Sequence, residues 1–152
     1  MRTLLILAGL TLLLGGPASV VARPHHGGRT TTALLAPVGD AAVSGSVTLQ
    51  SHTHGTAITV QASGLQPGVQ YTSLTYDNPT CQLEPYATQD TIGGGPYTAD
   101  AMGRGQTQGT VSDGVRQIYS VSVRLTSSFQ LLACATVGSA LGQPRPARRT
   151  RR

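Results

Sequence analysis

The sequence contains no lysine and no tryptophan, one phenylalanine and two cysteines in 152 residues, and only 11% of its residues are charged. Each shortage removes a chemistry. Without lysine, and without a strand-to-helix context, Gly93-Gly94-Gly95 cannot serve as a phosphate-binding loop. No histidine follows His54 and no Gly-x-Ser-x-Gly elbow occurs, so none of the many serines has a downstream base to activate it. The six acidic residues are scattered and offer no pair for glycoside chemistry. Beyond the first 22 residues no apolar run approaches the roughly 20 residues of a membrane-spanning helix.

What is present begins with an export signal. Arg2 precedes an apolar run from Leu4 to Leu14, followed by Gly15, Gly16, Pro17 and small residues up to Ala22, the layout of a secretory signal peptide. Cleavage is expected after Ala22, or alternatively after Ala18. The protein is therefore expected in the periplasm or outside the cell, as one domain of about 130 residues.

The mature composition, rich in Gly, Pro, Thr, Ser, Val and Ala, suits short strands joined by many turns. Residues 23–41 show no periodicity and read as a disordered polar leader. From Ala42 the chain alternates with period two: Val43, Gly45, Val47 and Leu49 against Ser44, Ser46, Thr48 and Gln50. After Ser51 to Gly55 the alternation resumes, with Ile58, Val60 and Ala62 on one face, so the two segments form a hairpin. Gly64-Leu65-Gln66-Pro67-Gly68 is a turn leading into a strand over about Val69 to Tyr76. Residues 77–96 read as a long surface loop. Strands then follow near Pro96 to Ala99, Gln106 to Val111, Tyr119 to Leu125 and Gln130 to Val137. Seven or eight antiparallel strands over 42–138 predict an all-β Greek-key sandwich or barrel.

The formal charge of +5 is misleading, because five of the eleven arginines (Arg145, Arg148, Arg149, Arg151 and Arg152) lie in the last eight residues. Between 23 and 142 five arginines face six acids, so the domain is nearly neutral. The tail 139–152 reads as disordered. It suits loose attachment to an anionic surface, such as lipopolysaccharide, membrane phosphate or nucleic acid, or no partner at all. No aromatic residue interleaves its arginines as a nucleic-acid groove would require.

Cys81 and Cys134 are the whole cysteine complement, and export to an oxidising compartment favours a disulfide between them. A metal-binding pair or two free thiols are the alternatives, but two lone cysteines lack the close spacing of a zinc site.

Residues 43–138 resemble the copper/zinc superoxide dismutases, a family with a Greek-key sandwich of this kind. The resemblance is carried by Gly-Leu-Gln-Pro-Gly at 64–68, Tyr-Asp-Asn-Pro-Thr-Cys at 76–81, Tyr-Thr-Ala-Asp-Ala-Met-Gly-Arg-Gly at 97–105 and Leu-Leu-Ala-Cys-Ala-Thr-Val-Gly at 131–138, in the family's order. It implies the same fold and the same disulfide. The metal ligands do not carry over. Counting from Gly68, the family's first two copper histidines fall on Ser73 and Thr75, and its late one falls near Arg124. The arginine that guides superoxide falls on Leu131. The long loop offers no histidine, only acids such as Asp77, Glu84 and Asp90, with Asp100 beyond it. A hydroxyl is a poor copper ligand, so dismutase activity is not expected from these positions.

Two histidine pairs remain as metal candidates. His52 and His54 sit at the hairpin tip, where an extended backbone would put both imidazoles on one face, a spacing suited to copper or zinc. Two ligands alone bind weakly, and with no third ligand nearby in sequence an exposed polar tip accounts for them better. His25 and His26 lie in the leader, where Pro24 removes the amide nitrogen that an amino-terminal copper clasp needs. The expected function is thus a non-catalytic binding or envelope-structural domain on a superoxide dismutase-like scaffold without a cofactor. The alternative is a copper-binding protein or dismutase using these relocated histidines.

Overall fold

A computed structural model describes residues 29–83 and 89–138. Within them the chain is all β. Its strands are β1 (Thr30–Pro37), β2 (Ser44–His52), β3 (Gly55–Ser63), β4 (Gln70–Tyr76), β5 (Gln89–Thr91), β6 (Tyr97–Thr98), β7 (Gly105–Val111), β8 (Ser120–Leu125) and β9 (Leu131–Thr136). They pair antiparallel in the order β5-β4-β8-β9-β1-β2-β3-β7, with β6 also paired to β4, and the eight-strand path curls into a nearly closed barrel. Because β4 does not follow β3 in the sheet, and β7 does, the connections cross over as in a Greek key.

Period-two patterning explains most of this arrangement. Val47 and Leu49 on β2, Ile58 and Val60 on β3, Val121 and Val123 on β8, and Ala133 and Ala135 on β9 all point inward and are buried. These β-branched and small side chains fill a narrow barrel without large aromatics. The two strand ends of the path, β5 and β7, do not pair with each other. The turn Ile92–Gly94 stands between them, with Ile92 fully buried and its carbonyl accepting a hydrogen bond from Thr107 Oγ1 at 3.4 Å. A Cβ on Gly109 would run into the backbone of Gly93, so this seam needs glycine on the β7 side.

Two expectations are corrected. Residues 30–37, assigned to a disordered leader, form β1, which pairs with β2 from Thr30↔Gln50 to Leu35↔Gly45. Its pattern was masked because the inward set is Thr31, Ala33 and Leu35, while Leu34 points outward and is 77% exposed. The loop assigned to 77–96 is not all loop. Its second part contains β5 and the buried Ile92, elements too short to show a period. The signal segment 1–22, the leader up to residue 28 and the tail 139–152 lie outside the described residues. Among the described residues no helix is long and apolar enough to cross a membrane.

Candidate functional site

The described residues depart most from an ordinary barrel on the outer side of β4, β8 and β9. An exposed outer face would be polar, and β8 indeed places Ser120, Ser122 and Arg124 there. All three are nevertheless buried, because the segment 77–83 lies over them. That segment is fastened at several points. Asn78 Oδ1 accepts from Thr80 N at 3.1 Å and from Gln82 N at 3.4 Å, while Ser120 Oγ donates to Asn78 O at 2.6 Å and accepts from Cys81 N at 3.2 Å. Thr136 Oγ1 on β9 donates to Pro79 O at 3.2 Å. Cys81 is disulfide-bonded to Cys134 on β9, with their Cα atoms 5.9 Å apart. Leu74, Tyr76 and Cys81 form a small second core, against which Leu131 and Cys134 pack.

Arg124 is the centre of this layer and is only 5% exposed. Its Nε donates to Tyr76 Oη at 2.8 Å, Nη1 to Phe129 O at 2.6 Å and Nη2 to Cys81 O at 2.6 Å. The guanidinium carbon also lies 5.8 Å from the centre of the Tyr76 ring. Among the described residues no carboxylate pairs with it, so carbonyls and a phenol satisfy a buried cation. Cys81 and Phe129 are also the two non-glycine residues of the described chain with positive φ, at 56° and 57°. Such a backbone costs about 1–3 kcal/mol per residue. A hydrogen bond to a charged donor is worth about 1.5–3 kcal/mol, enough to offset it. The left-handed turn aims each carbonyl at the guanidinium, and the guanidinium in turn holds the turn.

The positions matched to copper ligands do not converge. Ser73 and Thr75 share the inward side of β4 with Tyr71: Ser73 Oγ lies 3.2 Å from Tyr97 Oη, and Thr75 Oγ1 donates to Asp90 O at 3.4 Å. The β4 residues on Arg124's side are Thr72, Leu74 and Tyr76, because a shift of one residue in a strand exchanges its faces. Leu131 faces Arg124 in the β8–β9 pairing, across a bulge after Val123. An arginine therefore stands beside the position where the resemblance looks for one, supplied by the neighbouring strand. The inner face is polar near Ser73, where burial raises the Tyr97 phenol above its ordinary value of 10.0, partly countered by the hydrogen bond to Ser73.

The other predicted groups lie apart. His52 closes β2 opposite Gly55, His54 sits in the intervening two-residue turn, and both are exposed, with no side-chain hydrogen bond among the described residues. The segment is a turn, so the extended geometry expected for the pair is not adopted. His25, His26 and Glu84 lie outside the described residues. Asp100 is committed to its own turn, Oδ1 accepting from Met102 N and Arg104 N at 2.8 Å each. Among the described residues no three His, Cys, Asp or Glu side chains gather as a metal group. An open groove of about 620 Å³ runs past Ser46, Gln61, Ser63, Asp100, Arg104 and Gln106, away from the arginine layer.

Sequence reasoning missed Tyr76, Phe129 and the serines of β8 as parts of one cluster. Arg124 ending the Ser-Val-Ser-Val alternation was the available signal, since a cation in register with two serines marks a face that is either wet or covered. Compared with known proteins, the chain matches no family model and no curated sequence.

Proposed function

We propose that the protein is an exported, disulfide-locked β-barrel on a superoxide dismutase-like scaffold that acts by binding rather than by redox catalysis. The observation that carries this reading is Arg124. Near the position to which the resemblance assigns the late copper ligand stands a guanidinium whose three nitrogens are each committed to a protein oxygen. A cation held there repels a metal ion, and Leu74 and Tyr76 beside it offer no imidazole. The signal-like N terminus and the cysteine pair support export.

The test is superoxide decay by protein that has been loaded with copper and zinc and then desalted. No catalysed decay is expected. Stoichiometric copper sustaining catalysed decay would overturn the reading. A second reading, copper capture, is favoured by one observation: His52 and His54 are both exposed at a tight turn.

A further inference from the structure

We infer that the outer groove across β2, β3 and β7 is a binding site for a neutral oligosaccharide; this rests on the binding role proposed above and names its ligand. The groove is built into the strand register. Gly45, Ala62 and Gly105 lie side by side on the inward face of the three strands. Nothing larger than a methyl group fills that row, so the sheet comes in close there and its outer surface dips. A Cβ on Gly45 would run into the carbonyl oxygen of Gln61, and one on Gly105 into the Tyr97 ring and Leu65. The dip is therefore a fixed feature of the barrel. Its open volume of about 620 Å³ lies within the roughly 300–1,000 Å³ of small-molecule sites.

The chemistry of the walls selects the ligand. The next register row, Ser46, Gln61 and Gln106, points outward and lines the groove, with no side-chain hydrogen bond among the described residues. A Gln amide presents a donor and an acceptor side by side, which matches two neighbouring sugar hydroxyls. Ser63 and Thr98 add hydroxyls to the lining. At one end Asp100 and Arg104 are held by their shared turn, Asp100 N donating to Arg104 O and Asp100 Oδ1 accepting from Arg104 N, both at 2.8 Å. One carboxylate and one guanidinium cancel, so the groove carries no net charge and does not select a phosphate or a polyanion. Leu34, opposite Ser46 on β1 and 77% exposed, extends the row with an apolar surface for the C–H face of a sugar ring. An extended peptide is disfavoured, because β2 and β3 are paired on both sides and leave it no strand edge to join. Without an aromatic platform in the lining the affinity is modest, with a Kd on the order of 1 mM.

The experiment follows amide NMR shifts of the ¹⁵N-labelled, oxidised full chain as maltotriose, cellotriose or triacetylchitotriose is added to about 20 mM, well above that Kd. At least one of the three should saturate, with shifts at Gly45, Gly105 and the side-chain amides of Gln61 and Gln106. Gln61→Ala/Gln106→Ala should weaken that binding by about tenfold or more, the loss of two ordinary hydrogen bonds. Thermal unfolding of the double variant should match the parent, since both side chains are exposed, so the loss reads the groove rather than the fold. Shifts with none of the three sugars, shifts centred away from the groove, or binding unchanged in the double variant would overturn the inference. So would a preference for trigalacturonate or for trialanine, which would make the ligand an acid or a peptide. Failure to bind sugar would leave the superoxide test of the non-catalytic reading where it stands, whereas catalysed superoxide decay would overturn that reading whatever the groove holds.

Discussion

Replacing Arg124 by methionine removes the guanidinium while keeping a long apolar stem, and it isolates what the cation contributes. Three oxygens lose their donor: Cys81 O, Phe129 O and Tyr76 Oη. The phenol retains Ser122 Oγ at 3.0 Å, so the uncompensated groups are the buried carbonyl of Cys81 and the part-buried one of Phe129. A buried acceptor left without a partner costs about 1–3 kcal/mol. Removing a buried charge returns part of this, because the cation no longer has to be desolvated. The left-handed conformations at Cys81 and Phe129 also lose the bonds that offset them. A net loss of about 3–4 kcal/mol is expected, a large fraction of the roughly 5–15 kcal/mol that holds an ordinary domain folded. At about 4 °C per kcal/mol for a domain of this size, Tm should fall by roughly 12–16 °C. Urea and thermal unfolding of oxidised protein measure it. A loss below about 0.5 kcal/mol would show that the guanidinium is not what holds the covering segment, and the argument would fail.

Other outcomes follow from the same geometry. Cys81→Ser with Cys134→Ser opens a loop with a sequence separation of 53 residues, which the chain-entropy relation values at about 4 kcal/mol. Combined with Arg124→Met it should cost less than the sum, because both hold segment 77–83, and strict additivity in a double-mutant cycle would refute the coupling. Tyr97 ionises with more difficulty in the fold than in the unfolded chain, so above pH 10 the unfolded state binds fewer protons and stability falls as pH rises. Tyr97→Phe should flatten that alkaline slope in urea unfolding measured across pH 9–11, and an unchanged slope would count against a buried phenol. Gly109→Val places side-chain carbons against the Gly93 backbone and should destabilise by more than about 3 kcal/mol, well beyond the same change at Gly95, where a Cβ meets nothing within 4 Å and the backbone is extended.

The barrel was legible in the sequence wherever one face was apolar and the other wet. Val43 to Leu49 and Ile58 to Ala62 announced β2 and β3, while the two-residue turn that sets their register lay hidden within a turn-like stretch read as Ser51 to Gly55. β1 was not legible, because a narrow barrel accepts Thr31 and Ala33 as inward residues while Leu34 faces out. β5 and Ile92 were too short to show a period. The candidate layer was hidden for a different reason. Whether Ser120, Ser122 and Arg124 meet water depends on a segment some 40 residues earlier folding over them, and no local pattern records that cover. The disulfide could be read from two cysteines in a chain expected to be exported, but not that one cysteine's carbonyl would also hold an arginine.

The seam at Ile92–Gly94 has a bearing on how the molecule behaves in crowded solution. A sheet whose path ends at β5 and β7 has two strand edges, and an uncovered edge is a template on which another chain can add itself. Here a turn shields the longer one, held by contacts around Gly109 and by the Thr107 to Ile92 hydrogen bond. The shield belongs to a short element anchored by a three-residue strand, so it should detach long before the barrel melts. Association on gentle warming is then expected to begin at β7 with the hydrophobic interior still closed. Hydrogen exchange at residues 105–111, followed alongside light scattering, would reveal it as deprotection there before any in β2 or β8. Solubility in this protein would then rest on a few glycines rather than on its charged groups.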